Sequence, residues 1–142
     1  MTSKKVSHPT WPGLTPLQRA VEARVQYDTY DIHRGRGSVE HVTIDPKDVL
    51  ALDAQAEWRR ARQEAIAAGV SEADLGRAVT KMVQLHRATV AVWAEIGGPV
   101  PSGTREQQAR FRRAEEAAVA FAMKLGFTKQ QGHLLSTRRQ NR

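Results

Sequence analysis

Four short motifs constrain this chain more than anything else in it. Thr15-Pro16-Leu17-Gln18, Asp45-Pro46-Lys47-Asp48, Ser71-Glu72-Ala73-Asp74 and Thr104-Arg105-Glu106-Gln107 each begin with a side-chain oxygen that can accept from the free N–H groups of a helix's first turn. Thr15 and Thr104 each have a glutamine three residues on, which completes a capping box, and Pro16 and Pro46 carry the backbone angle a first helical residue needs. Behind each start, apolar residues recur at helical spacing: Leu17, Val21, Val25 and Ile32; then Val49, Leu50, Ala54, Trp58, Ala61 and Ala65; then Leu75, Val79, Met82, Val90, Trp93 and Ile96; then Phe111, Ala114, Ala118, Phe121 and Leu125. The first run is expected to end near Asp31, and Gly69 and Gly126 fit the left-handed residue that closes a helix, with Phe127 as the apolar contact behind Gly126. The chain is therefore expected to be all-α, a four-helix domain joined by short loops. One stretch breaks the pattern: VEHVTI, residues 39–44, has β-branched character and is expected to be extended, a lone strand available for dimer pairing.

A length of 142 residues suits a single domain with loose ends and argues against a second independent one. The expected organisation is a flexible arm over 1–13, which holds Pro9, Pro12 and Gly13, a helical domain over 14–127, and a basic tail over 128–142 with one turn around Leu134 and Leu135. Alanine dominates the apolar stripes of the later helices, so those surfaces approach closely but bury little area each, and a homodimer that shares them is expected. There is no cysteine, so neither a disulfide framework nor thiol catalysis is available. No apolar run approaches the roughly 18 residues of a membrane helix, and the lysines near the start have no apolar stretch behind them. The expectation is a cytoplasmic protein with no membrane partner and no cofactor.

The net charge is +7, and its placement matters more than its size. Residues 104–142 hold nine basic and three acidic residues, whereas residues 45–103 hold seven and eight. Such an asymmetry is the electrostatic footprint of a chain that meets a polyanion at one end. Glu106 with Arg110, and Arg112 with Glu116, are spaced to pair within the fourth helix. That leaves Arg105, Arg113 and Lys124, with Lys129, Arg138, Arg139 and Arg142 after them, as the expected phosphate-contacting set. Arg34 and Arg36, in the glycine-flanked HRGRG loop, are expected to lie along a phosphate backbone or enter a minor groove. DNA is the leading partner, and RNA or an acidic protein segment satisfies the same charge.

Residues 69–93, GVSEADLGRAVTKMVQLHRATVAVW, bear on how DNA would be read. The opening AGVSEADLGRAV, with Ser71 as cap, Leu75 and Val79 inward and small residues at Gly76 and Ala78, resembles the first helix of a helix-turn-helix DNA-binding domain. LHRATVAVW resembles its recognition helix, and the resemblance implies that His86, Arg87 and Thr89 face bases or phosphates. It covers these 25 residues only. TKMVQ stands where the family has its turn and is about four residues too long, and residues 80–85 contain no Gly, Pro or Asn. Local preference there favours an unbroken helix, with His86 interrupting an otherwise apolar stripe.

Three function classes emerge. The first is a small non-enzymatic DNA-binding protein, similar in size and charge to bacterial regulatory or phage accessory proteins. The second is an oligomeric interaction or assembly factor, of the phage packaging or host-directed kind, in which the charge is incidental. The third is a metal-dependent nuclease that uses Asp28, Asp31, His33, Glu40, His41 and Asp45, whose oxygens and ring nitrogens suit a divalent ion but show no recognised ligand spacing. Tyr27 and Tyr30 have no identifiable base for a nucleophilic role. Trp58 and Trp93 fall on apolar stripes, while Trp11, in the proline-rich arm, is expected to be exposed and able to anchor a partner.

Overall fold

The structure is a computed structural model that describes residues 11–34, 46–96 and 103–138, with only the backbone for 31–34 and 46–48. The described residues form five helices and no strand: α1 (Pro16–Arg34), α2 (Pro46–Ala67), α3 (Glu72–Ile96), α4 (Arg105–Lys124) and α5 (Lys129–Ser136). The all-α expectation holds at this level, and the count is one helix higher than the four expected. The extended stretch foreseen at 39–44 lies outside the described residues. By sequence, residues 14–127 read as one domain; the backbone groups into two compact units that divide after Gly76, within the first turns of α3.

Local chemistry sets most of the helix ends. The Gln18 N–H donates to Thr15 Oγ1 at 3.1 Å while the Thr15 N–H donates to Gln18 Oε1 at 2.9 Å, the reciprocal pair of a capping box. Thr104 and Gln107 repeat it on α4, and the Asp74 N–H donates to Ser71 Oγ on α3. Both expected glycine stops close in a Schellman motif. Gly69 and Gly126 have φ of 102° and 104°, and the next N–H groups, of Val70 and Phe127, reach back to the carbonyls of Ala65 and Ala122 at 3.0 and 3.1 Å. Phe127 is buried behind Gly126. α1 runs on to Arg34, three residues past its expected end.

In the first unit, α1 packs on α2 through small side chains: Ala51, Ala54, Ala61 and Ala65 are all buried on α2, and Ala51 and Ala54 cluster with Tyr30. Arg24 lies over the rings of Tyr27 and Trp58, 5.1 and 5.3 Å from their centroids, so two aromatic faces hold its charge. Val49, expected on the apolar stripe of α2, is instead exposed.

In the second unit, residues 128–138 are more than a tail with one turn. Thr128 and Gln131 form a third complete capping box, which starts the two-turn α5, and Thr137 Oγ1 and Ser136 Oγ donate to the His133 carbonyl at its end. α5 packs on α4 at Gly132, where a Cβ would stand 3.2 Å from Val119 Cα and Cγ1 and 3.4 Å from Ala122 Cβ. This contact explains why Val119 and Ala122, outside the expected α4 stripe, are buried. Gly132→Val is expected to lower stability by about 2 kcal/mol, because the Cβ is already tight against Val119 and the added branches crowd it further. Gly76→Ala, at a helical position with open space around it, is expected to raise stability by about 0.5 to 1 kcal/mol. Urea midpoints of the two variants against the parent check both.

Candidate nucleic-acid interface

The second unit carries most of the charged positions expected to meet phosphate. α4 enters with Thr104 as its cap and turns Phe111, Ala118, Val119 and Ala122 into the core. That orientation follows from the helical period and leaves Arg105, Arg112, Arg113 and Lys124 exposed; Lys129, at the start of α5, is exposed too. Arg112, expected to be committed to Glu116 within the helix, belongs to this exposed set. The ring of Phe111 meets Trp93 of α3 with centroids 5.8 Å apart, which ties α4 to the later turns of α3.

Arg110 differs from the expectation of a pair with Glu106. Its two terminal nitrogens donate to the two carboxylate oxygens of Glu95 on α3, at 2.6 and 3.2 Å. This fork joins the end of one helix to the start of another, a longer reach than i,i+4 spacing reveals. The hydrogen bond from Arg110, and then its charge, hold the Glu95 carboxyl below the ordinary carboxylate range, and Glu95 raises Arg110 in return.

Several expected positions lie elsewhere. His86 is not on the surface: only 1% of it is exposed, and its Nε2 donates to the Arg138 carbonyl at 2.7 Å. Thr89 is fully buried, with its hydroxyl donating to the Leu85 carbonyl. Arg138 is buried as well, and its carbonyl is the acceptor for His86. For His86 and Thr89 the physical reason is the same. Once Met82, Val83 and Val92 face inward, the helical period carries His86 and Thr89 with them, and a buried imidazole must find a hydrogen-bond partner. Residues 80–85 are helical throughout, without the turn that a helix-turn-helix requires. Arg87 is exposed, one step round from His86. Arg34 is the last residue of α1, with its side chain not described, and Arg36, Arg139 and Arg142 lie outside the described residues.

Sequence reasoning passed over Arg77, Lys81 and Gln84, which are exposed on the same helix as Arg87. Their signal was the same period that exposed Arg87, read from the polar side. Trp11 is half-buried, not the exposed anchor expected. Among the six residues considered for a metal, Asp28 is buried and the side chains of the other five lie outside the described residues. Among the described residues no group of three or more His, Asp or Glu is placed to hold an ion. What the described surface offers chemically is fixed cations and amides on helices, suited to hydrogen bonding with phosphate and base edges.

Because the folded Glu95 carboxyl titrates below its unfolded value, the stability contributed by the Glu95–Arg110 pair is complete above the unfolded carboxylate's titration and is lost as pH falls through the folded one. Both side chains are well exposed, so the effect on stability is small. The titration itself is the sharper readout. Carbon-detected NMR of the Glu95 carboxyl is expected to show its midpoint rise toward the ordinary range in Arg110→Ala and stay unchanged in Arg105→Ala. Comparisons with protein-family models, with curated proteins and with solved structures return no match to this chain.

Proposed function

We propose that this protein is a small, non-enzymatic DNA-binding protein whose C-terminal half supplies the phosphate contacts. The observation that carries the proposal is the exposure of Arg105, Arg112, Arg113, Lys124 and Lys129 in the part of the chain where basic residues outnumber acidic ones three to one. A cation on a packed helix is already placed, so ordering it on a ligand costs less than ordering one on a free chain. Arginine supplies most of the set and suits phosphate through its planar fork. Arg139 and Arg142 follow the same region in sequence and extend the same charge, and Arg34 and Arg36 supply a further basic pair. A regulatory or phage accessory role fits this size and charge.

Fluorescence anisotropy with a labelled mixed-sequence duplex tests the proposal. Binding is expected in the micromolar range, weakening about tenfold or more between roughly 50 and 200 mM salt, without need of magnesium and without loss of the duplex. Arg105→Ala/Arg113→Ala/Lys124→Ala is expected to bind more weakly, with a salt dependence shallower by about two to three charges. Absence of binding at low salt overturns the reading.

A second reading, an oligomeric assembly factor, draws on one specific observation. Val49 and Leu52 on α2 are 44% and 53% exposed and stand three residues apart, on neighbouring positions of one helical face. An apolar pair of this kind favours self-association, as a homodimer, over an isolated chain. Sedimentation equilibrium of the parent and of Leu52→Lys checks it: the expected outcome is a self-associated parent and a dissociated variant, and a monomeric parent removes the reading.

A further inference from the structure

We propose that the outer face of α3, built by Arg77, Thr80, Lys81, Gln84, Arg87 and Ala88, is the element that enters the major groove of duplex DNA. The inference rests on the DNA-binding reading above and goes beyond it by naming the helix face and the form of nucleic acid. All six residues are exposed. Arg77, Lys81, Gln84 and Ala88 follow one another at i, i+4, i+7 and i+11, the track of a single helical face, with Thr80 and Arg87 along one flank. The opposite side is held down by Leu75, Ala78, Val79, Met82, Val83 and His86, all buried, so the face cannot roll inward without breaking a core.

The charge on this face is of one sign. No acidic residue occurs between Asp74 and Glu95, a stretch with four basic groups counting the buried-side His86, three of them on the exposed face. Of the acids at either end, the Glu95 carboxylate is taken up by Arg110, while Asp74 stands one turn before Arg77. From Arg77 to Ala88 the helix advances about 16 Å, and the B-form major groove, about 12 Å wide, admits a helix of this kind. Gln84 stands in the middle with an amide that can both accept from and donate to an adenine edge, and the cations around it match the phosphates that line the groove. Thr80, Ala88 and Ala91 are small enough to let the helix axis come close.

Two alternatives fit this face less well. A protein partner is anchored by large apolar or aromatic side chains, and the exposed large apolar residues among those described are Val49, Leu52, Met123 and Leu134, none of them on α3. Duplex RNA has a deep, narrow major groove that keeps a helix out.

The experiment compares three proteins on a labelled mixed-sequence DNA duplex of about 20 base pairs, by anisotropy from about 50 to 200 mM salt. They are the parent, Arg77→Ala/Lys81→Ala/Arg87→Ala, and the charge-keeping Arg77→Lys/Lys81→Arg/Arg87→Lys, each checked for helix content by circular dichroism. The alanine variant is expected to bind about tenfold or more weakly with a salt slope shallower by about two to three, while the charge-keeping variant stays within about threefold of the parent. The same duplex made as RNA is expected to bind at least about tenfold more weakly to the parent. As a readout that needs no variant, amide NMR signals over residues 77–88 of the parent are expected to shift on DNA titration. An alanine variant that binds like the parent, or amide shifts confined to other helices, overturns the α3 face and leaves the DNA reading standing. RNA binding equal to DNA binding overturns the groove assignment. A parent that binds no duplex at all removes the DNA reading itself.

Discussion

The hydrogen bond from His86 to the Arg138 carbonyl lets the apolar side of α3 face inward with a histidine in its midst. An imidazole buried to this degree costs free energy unless its polar atoms are satisfied, and a carbonyl at a helix end, left over when the helical ladder stops, is a ready acceptor. Nε2 and the carbonyl thus satisfy each other, so breaking the contact costs more than the worth of one hydrogen bond. With His86 turned inward, the helical period has no freedom left: Met82, Val83 and Thr89 share its side, and Arg77, Lys81, Gln84 and Arg87 take the other. The same bond ties down the chain just past α5, where the helix has already stopped and the Ser136 and Thr137 hydroxyls help to close its last turn.

Around that constraint the chain builds with small residues. Alanine makes up much of the buried set on α2 and α4, and Gly132 stands so near Val119 that a Cβ would lie 3.2 Å from its backbone. Side chains this small let backbones approach, which multiplies weak dispersion contacts but removes little apolar area from water. Larger side chains are few and are used at junctions: Tyr30 against Ala51 and Ala54, Arg24 laid over Tyr27 and Trp58, and Phe111 against Trp93. Complete capping at Thr15, Thr104 and Thr128 complements such a core, since each box satisfies two N–H groups that packing alone leaves bare.

How much of this was legible in the sequence depends on how far apart the interacting groups stand. The caps at Thr15, Ser71 and Thr104 and the stops at Gly69 and Gly126 are interactions over three to five residues, and all five are where the sequence places them. α5 was missed because Gly132 reads locally as a helix breaker; its reason for being there is a close approach to Val119, thirteen residues earlier, and the Thr128–Gln131 box that announced it had the same form as the others. Arg110 was assigned to Glu106 by the i,i+4 rule, but the bidentate partner is Glu95, 15 residues away on α3. His86 was the costliest misreading, because a polar residue on an apolar stripe has two opposite explanations and only a partner 52 residues away chooses between them.

That choice carries over to function. A face read as His86, Arg87 and Thr89 mixes one exposed side chain with two buried ones and has no surface to offer. Rotated to the side that solvent meets, the same helix shows Arg77, Lys81, Gln84 and Arg87 in register, and a charge pattern that looked like scattered arginines becomes a continuous strip. The exposed cations of α4 are of the same sign, but Glu106 and Glu116 are interspersed among them, whereas the α3 strip has no acid along its length. Fixed charge of one sign raises the local concentration of a polyanion before any specific contact forms, and mixed charge does so far less. On the DNA-binding reading proposed above, the helix that supplies the core its histidine is therefore the one whose charge acts first.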